Sequence, residues 1–286
     1  MTGAVWTAEW SDAMIAAMRE GERERLDLGA YLRRVGYTGG REATRATLDA
    51  LHEAHVTHIP FENLDVVLGR PIALDLASVQ AKLVAGRRGG YCFEQNLLFS
   101  AVLRAFGFAV TDLAARVRLG SSVLRARTHM MLEVEADGAS WLAEVGFGGP
   151  GPLVPVPFDG GESRQHGWSF RVAGEATERV LQSSRRGPWE DLYAFTREPQ
   201  HRVDYELANH YTSTHPASAF TQIMTAQRIA PDVRRVLRDR EYSEDGGGGA
   251  EQRTLADDEV RDMLATTFGL ELSADEMSAI LRKLRS

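Results

Sequence analysis

The sequence predicts an α+β chain in three parts, and three observations carry that reading. Apolar residues recur at three- and four-residue spacing as far as about Phe106. Short alternating runs broken by Gly, Pro and Asp follow from about Phe108 to Asp204, and helical and mixed signals return from about Tyr205 to Ser286. Residues 26–107 therefore read as a helical bundle, 108–204 as an antiparallel β unit (a small barrel or curled sheet), and 205–286 as a mixed α/β part, with residues 1–25 as an N-terminal extension.

In "LDLGAYLRRVGY", Leu26, Leu28, Tyr31, Leu32 and Val35 form one apolar stripe, which the glycines of "GYTGG" end. "ATRATLDALHEAHVTHIPFENLD" gives a second helix, stopped before Pro60. "LASVQAKLVAG" gives a third, and "CFEQNLLFSAVLRAFG" a fourth that ends at Gly107. "FAVTDLAARVRLG", "HMMLEVEADGASWLAEVGFG", "GWSFRVAG", "ERVLQSS" and "PWEDLYAFTRE" read as strands. "SEDGGGGAEQ", from Ser243 to Gln252, is expected to be a flexible surface loop, and "DDEVRDMLATTFGL" a late helix.

The formal net charge of −7 argues against a general nucleic-acid or anionic-membrane binder. One cysteine allows no intramolecular disulfide and fits a reducing cytoplasm. No apolar run approaches the roughly 20 residues that span a bilayer, and the N-terminus does not read as a signal peptide.

That lone cysteine, Cys92, lies two residues after Gly89-Gly90 in "RRGGYCFEQN" and heads the fourth helix. First-turn amides have no partners within a helix and carry partial positive charge, so a thiolate there is expected to be stabilised and reactive at neutral pH. A thiol nucleophile needs a base, and the base an orienting acid. His52, His55 and His58 are spaced by three, but their spacing drifts around a helix and no cysteine is near, so no metal is expected. His166, His201, His210 and His215 have no setting that marks a base.

His129 has one. "RTHMMLEVEADGASWLAEVGFG" reads as a hairpin turning at Asp137-Gly138. Met130 then faces Val145, Leu132 faces Ala143 and Val134 faces Trp141, which makes one face wholly apolar. His129 and Glu144 fall on the other face as diagonal neighbours, within reach of each other.

Together, "RRGGYCFEQN", "THMMLEV" and "WLAEVGFGG" closely resemble the arylamine N-acetyltransferases. "LDLGAYLRRVGY", "IPFENLD", "AARV" and "YTSTHPASAF" are similar to family segments in the same order, from about Leu26 to the C-terminus. The resemblance implies a helical bundle, a β-barrel and an α/β lid, with a papain-like cysteine-enzyme core. It implies that Cys92 takes an acetyl group from acetyl-coenzyme A as a thioester, which an arylamine or hydrazine then attacks. His129 would be the base, and Glu144 would stand where the family has aspartate in "VDVGFG". The extra methylene must fold back or push the ring.

By the same resemblance Glu62 and Arg88 form a structural ion pair under the site. Phe61, Val117, Phe147 and Phe220 line the acceptor pocket. Gly148 and Gly149, within "GFGGPGP", face the coenzyme, and Ser213 and Thr214 add hydroxyl contacts. The implied partners are coenzyme A and a small amine acceptor, with no metal, nucleic acid or membrane. Two other readings use the same scaffold: an amide synthase working on another acyl thioester, and a non-catalytic binding protein. A papain-like peptidase would have no use for the glycine loop and the lid segments.

Overall fold

The computed structural model describes residues 25–121, 123–175, 177–185, 187–246 and 249–285. The expected extension over residues 1–25 lies outside them except for Arg25. The chain opens with helices α1 (Leu28–Val35) and α2 (Arg45–His58). Asp27 and Thr44 start them by accepting the Ala30 and Thr47 amides. A two-residue strand β1 (Phe61–Glu62) and short helices α3 (Leu64–Val67) and α4 (Leu76–Gln80) follow. The segment read as one third helix is α4 running into a π-helical turn, Ala81–Ala85. Helix α5 (Cys92–Ala105) ends as expected beside Gly107, whose φ is +89°.

A sheet of eight strands comes next: β2 (Ala109–Val117), β3 (His129–Ala136), β4 (Ala139–Ala143), β5 (Val156–Pro157), β6 (Glu162–Gln165), β7 (Trp168–Glu175), β8 (Glu178–Ser184) and β9 (Glu190–Phe195). Their order is β5-β4-β3-β2-β9-β8-β7-β6, and β5 also approaches β6 and β7, so the sheet curls into a nearly closed barrel. Leu113, Met131, Leu142, Phe170, Leu181 and Tyr193 belong to the barrel's core. Met130, Leu132, Val134 and Ala143 point the other way, onto the helical part. Both faces of the β3–β4 hairpin are therefore buried.

The hairpin has the expected register, with Leu132 opposite Ala143 and Val134 opposite Trp141. Asp137 and Gly138 turn it with positive φ at both positions. The ladder ends at Leu132–Ala143, however, so the expected Met130–Val145 pair does not form. Past Ala143 the backbone leaves the sheet because side chains from the helices take its amides. The Glu144 amide donates to His52 Nε2 at 3.0 Å and the Val145 amide to Asn96 Oδ1 at 3.2 Å.

The C-terminal part holds α6 (Arg202–Thr214), α7 (Ala219–Gln222), strands β10 (Thr225–Ala230), β11 (Val233–Arg238), β12 (Glu241–Gly246) and β13 (Gly249–Thr254), then α8 (Asp257–Thr266) and α9 (Ala274–Lys283). β1 pairs with β10 and stitches this part to the helices. The expected loop over Ser243–Gln252 is instead a hairpin, with Glu244 opposite Glu251 and Gly246 opposite Gly249. Its pairing runs through backbone hydrogen bonds. Most of β13 faces solvent, so no apolar alternation marks it in the sequence.

Candidate active site

Cys92 is the first residue of α5. The helix start is fixed by Glu94 Oε2, which accepts the Tyr91 amide at 3.1 Å. The preceding glycines make room: a Cβ on Gly89 would lie 2.1 Å from the Pro60 carbonyl oxygen. The thiol is buried, and Sγ donates to the Thr128 carbonyl at 3.7 Å. The next residue, His129, opens β3, so the strand delivers its imidazole directly to the helix start.

His129 Nε2 lies 3.3 Å from Glu144 Oε2, and both side chains are nearly inaccessible. The two atoms attract as an ion pair without a well-aligned hydrogen bond. With Nε2 turned to the carboxylate, Nδ1 is the nitrogen left for Cys92. Burial works against charge on this ring. The Glu144 carboxylate, first, and bonding to Cys92 outweigh it and raise the imidazole from 6.5 to about 10.

The longer acid folds back on its own chain. Glu144 Oε1 accepts the Gly146 amide at 2.6 Å and Asn96 Nδ2 at 2.9 Å. Asn96 Nδ2 also donates to the Met130 carbonyl at 2.8 Å. Asn96 lies four residues after Cys92, on the same face of α5. Gly146 packs so close to that helix that a Cβ would sit 2.7 Å from Cys92 Cα.

His52 grips the acid from behind. Its Nε2 accepts the Glu144 amide, so Nδ1 carries the proton and donates to the Leu153 carbonyl at 2.9 Å. His55 accepts the Tyr31 hydroxyl at 2.9 Å and donates to Gln95 Oε1 at 3.3 Å. Burial, the leading cause for each, pushes His52 to about 4 and His55 to about 3, so both are neutral at pH 7. His58 turns its Nδ1 to the Ala54 carbonyl, so the three histidines do not converge. Among the described residues no three His, Cys, Asp or Glu are grouped to hold a metal.

Arg88 Nη2 and Nε lie 2.8 and 2.9 Å from Glu62 Oε1, and Glu62 is fully buried. Lys82 extends the network to Asp65 and Glu94, each at 2.7 Å. Burial lifts Glu94 to about 7, against Lys82, which pulls it down.

The site lies where two apolar clusters meet. The Phe220 ring packs on Phe61, with centroids 5.9 Å apart, and edge-on to Tyr91, the residue before Cys92, at 5.7 Å. Phe147 stands edge-on to His129 at 5.0 Å and to Tyr193 at 5.1 Å. Val117 ends β2 opposite Tyr193. The Tyr193 hydroxyl is buried beside Glu144 and has no hydrogen-bond partner among the described residues.

Gly148 takes φ +82°, and the Gly149 amide donates to Gln227 Oε1 at 2.6 Å, so that amide is already engaged. Ser213 and Thr214 both donate back into α6, to the Asn209 and His210 carbonyls. Sequence reasoning passed over Asn96, Gln227 and Tyr193, and weighed His52 only as part of a metal site. For Asn96 the signal was its i+4 spacing from Cys92; for His52 it was the histidine run; for Gln227 and Tyr193 there was none.

A thiol at a helix start, an imidazole beside it and a buried carboxylate behind form the arrangement of a covalent thiol catalyst. A model of the N-acetyltransferase family matches residues 44–277. The arylamine N-acetyltransferase of Mycolicibacterium smegmatis is 39% identical over 255 residues, covering 86% of this chain and 93% of that one. The structure of the Nocardia farcinica enzyme aligns with a TM-score of 0.86 and 41% identity, covering 93% and 97% of the two chains. The Mycobacterium marinum arylamine N-acetyltransferase in complex with CoA aligns with a TM-score of 0.85 and 34% identity, covering 90% and 98%. The chain belongs to the arylamine N-acetyltransferase family. Its α+β architecture, with the cysteine helix packed on the barrel strand that carries the histidine, has the papain-like core the resemblance implied.

Proposed function

We propose that this chain moves an acetyl group from acetyl-coenzyme A to an arylamine, arylhydrazine or hydrazide in two half-reactions through Cys92. The carrying observation is the convergence of Cys92, His129 and Glu144 in one buried site. His129 takes the thiol proton and, with its pKa raised to about 10, keeps it as imidazolium while the sulfur attacks the thioester carbonyl. The carbon–sulfur bond to the coenzyme breaks, and the departing thiolate takes the proton from imidazolium. The amine then attacks acetyl-Cys92, loses a proton to His129, and leaves as the amide while the thiol is restored. Glu144 stabilises the imidazolium in both halves.

In this reading residues 26–107 carry the nucleophile, 108–204 carry base and acid, and 205–286 cover the site as a lid. Phe61, Val117, Phe147 and Phe220 offer aromatic and apolar surface to a flat acceptor ring. Gly148 and Gly149, with Ser213 and Thr214, face the coenzyme in this reading; the M. marinum relative's complex with CoA supports coenzyme A as the donor's carrier. Glu62 and Arg88 brace the floor beneath the thiol. No described helix is long and apolar enough to cross a membrane, and we assign the enzyme to the cytoplasm on its lone cysteine.

The test is steady-state kinetics with acetyl-coenzyme A and an arylamine, each varied at several levels of the other. Parallel double-reciprocal lines are expected. Intersecting lines would mean a ternary complex and no acyl-enzyme. Turnover only with a bulkier acyl thioester would favour the amide-synthase reading.

A further inference from the structure

Arg234 lies on β11 with 5% of its surface exposed. It shares a face of that strand with Val236, and Gln227 stands opposite Val236 on β10. These three side chains form the floor under the loop that leaves the acid, Gly146 to Pro152. A Cβ on Gly149 would lie 2.8 Å from Val236 Cγ2 and 3.2 Å from Gln227 Oε1.

Burying a guanidinium is costly unless something answers its charge. Among the described residues no carboxylate forms an ion pair with Arg234. Asp245, its cross-strand neighbour on β12, pairs with Arg185 instead. Arg234 stacks on Trp168, 4.0 Å from the ring centre, and Nη1 donates to two carbonyls of the loop, Gly149 and, at 2.6 Å, Gly151. Burial, and then Arg185, lower it to about 9, so it stays charged at neutral pH. The loop cannot easily rotate away, because the Gly151 amide closes it onto the Gly148 carbonyl at 2.8 Å.

Both carbonyls belong to peptides that precede proline, Pro150 and Pro152, so these peptides present no N–H on the far side. The unanswered positive charge behind the loop is what favours an anion on its outer side. We infer that Arg234 is a positioning residue for the acyl donor, making the loop select an anionic donor over an uncharged acyl thioester. The inference rests on the reading of this loop as facing the donor.

The experiment compares wild type and Arg234→Met with two donors, acetyl-coenzyme A and the uncharged acetyl thioester of N-acetylcysteamine, at one fixed acceptor. Wild type should favour acetyl-coenzyme A. The variant should lose about tenfold or more in kcat/KM for acetyl-coenzyme A, chiefly through KM, and less than about threefold for the uncharged thioester. Equal losses for both donors would make Arg234 a purely structural residue and overturn the inference, as would no loss for either. If Arg234→Met does not fold by circular dichroism, Arg234→Gln, which keeps donors but no charge, carries the same ratio. A wild type without preference for acetyl-coenzyme A overturns the loop reading, and the inference with it, before any variant is compared.

Discussion

Replacing Glu144 by Gln removes one charge and almost no volume. The glutamine carbonyl can keep the Asn96 and Gly146 donors now on Oε1. Its amide then points at His129 Nε2, where the carboxylate stood 3.3 Å away. An N–H there makes Nε2 an acceptor and sends the ring proton to Nδ1, the nitrogen that must receive the thiol proton. The comparable aspartate-to-asparagine change in serine proteases lowers turnover about 10⁴-fold. A thiol needs less help than a hydroxyl, so the loss here should be on the order of 10²–10³-fold. Glu144→Asp should stay within about tenfold of wild type, because an aspartate naturally accepts the amide two residues on, as Glu144 does from Gly146.

The same carboxylate raises His129 from 6.5 to about 10. Between those values the folded protein holds a proton that the unfolded chain releases. Stability from the pair is therefore full below pH 6.5 and falls as pH rises through 10. Urea unfolding of wild type should show that decline, and Glu144→Gln should show much less of it. The pH dependence of Cys92 alkylation in all three proteins is the kinetic assay. If Glu144→Gln alkylates with the wild-type profile and turns over at the wild-type rate, the reasoning about the acid is refuted.

Arg88→Ala leaves the fully buried Glu62 without its 2.8 Å partner and should cost about 3–5 kcal/mol in urea unfolding; unchanged stability would show that the pair contributes nothing. Gly146→Ala puts a methyl 2.7 Å from backbone of α5, which cannot yield as a side chain can. Acyl transfer should fall at least about tenfold as the acid shifts, and wild-type turnover would mean that the loop tolerates displacement. Asn96→Leu leaves the Val145 amide without its acceptor and takes one donor from the Met130 carbonyl and one from Glu144 Oε1, which keeps the Gly146 amide. An unsatisfied buried group costs about 1–3 kcal/mol, so both melting temperature and turnover should drop, and a variant matching wild type in both would count against the staple.

Local chemistry made much of the site readable. The Asp137-Gly138 turn and the alternation on either side of it give the β3–β4 register, and the glycine pair before Cys92 marks a helix start. What sequence reasoning missed depends on partners far along the chain. β1 is too short to show a period and exists because β10 pairs with it. His52 matters because Glu144, far downstream, leaves its ladder to donate to it. The same departure cut the hairpin short, though the acid still reached the imidazole. The β12–β13 pair was read as a loop because its strands are polar and the sequence between Asp245 and Ala250 is all glycine, so its order comes from backbone pairing that side-chain patterns do not record.

The central claim is that Cys92 carries the acyl group. Intact mass after incubation with acetyl-coenzyme A alone tests it most directly, followed by addition of an arylamine. Wild type should gain one acetyl group and lose it to the amine, and Cys92→Ser should gain none. An adduct that persists in Cys92→Ser, or one on wild type that the amine cannot discharge, would contradict the account.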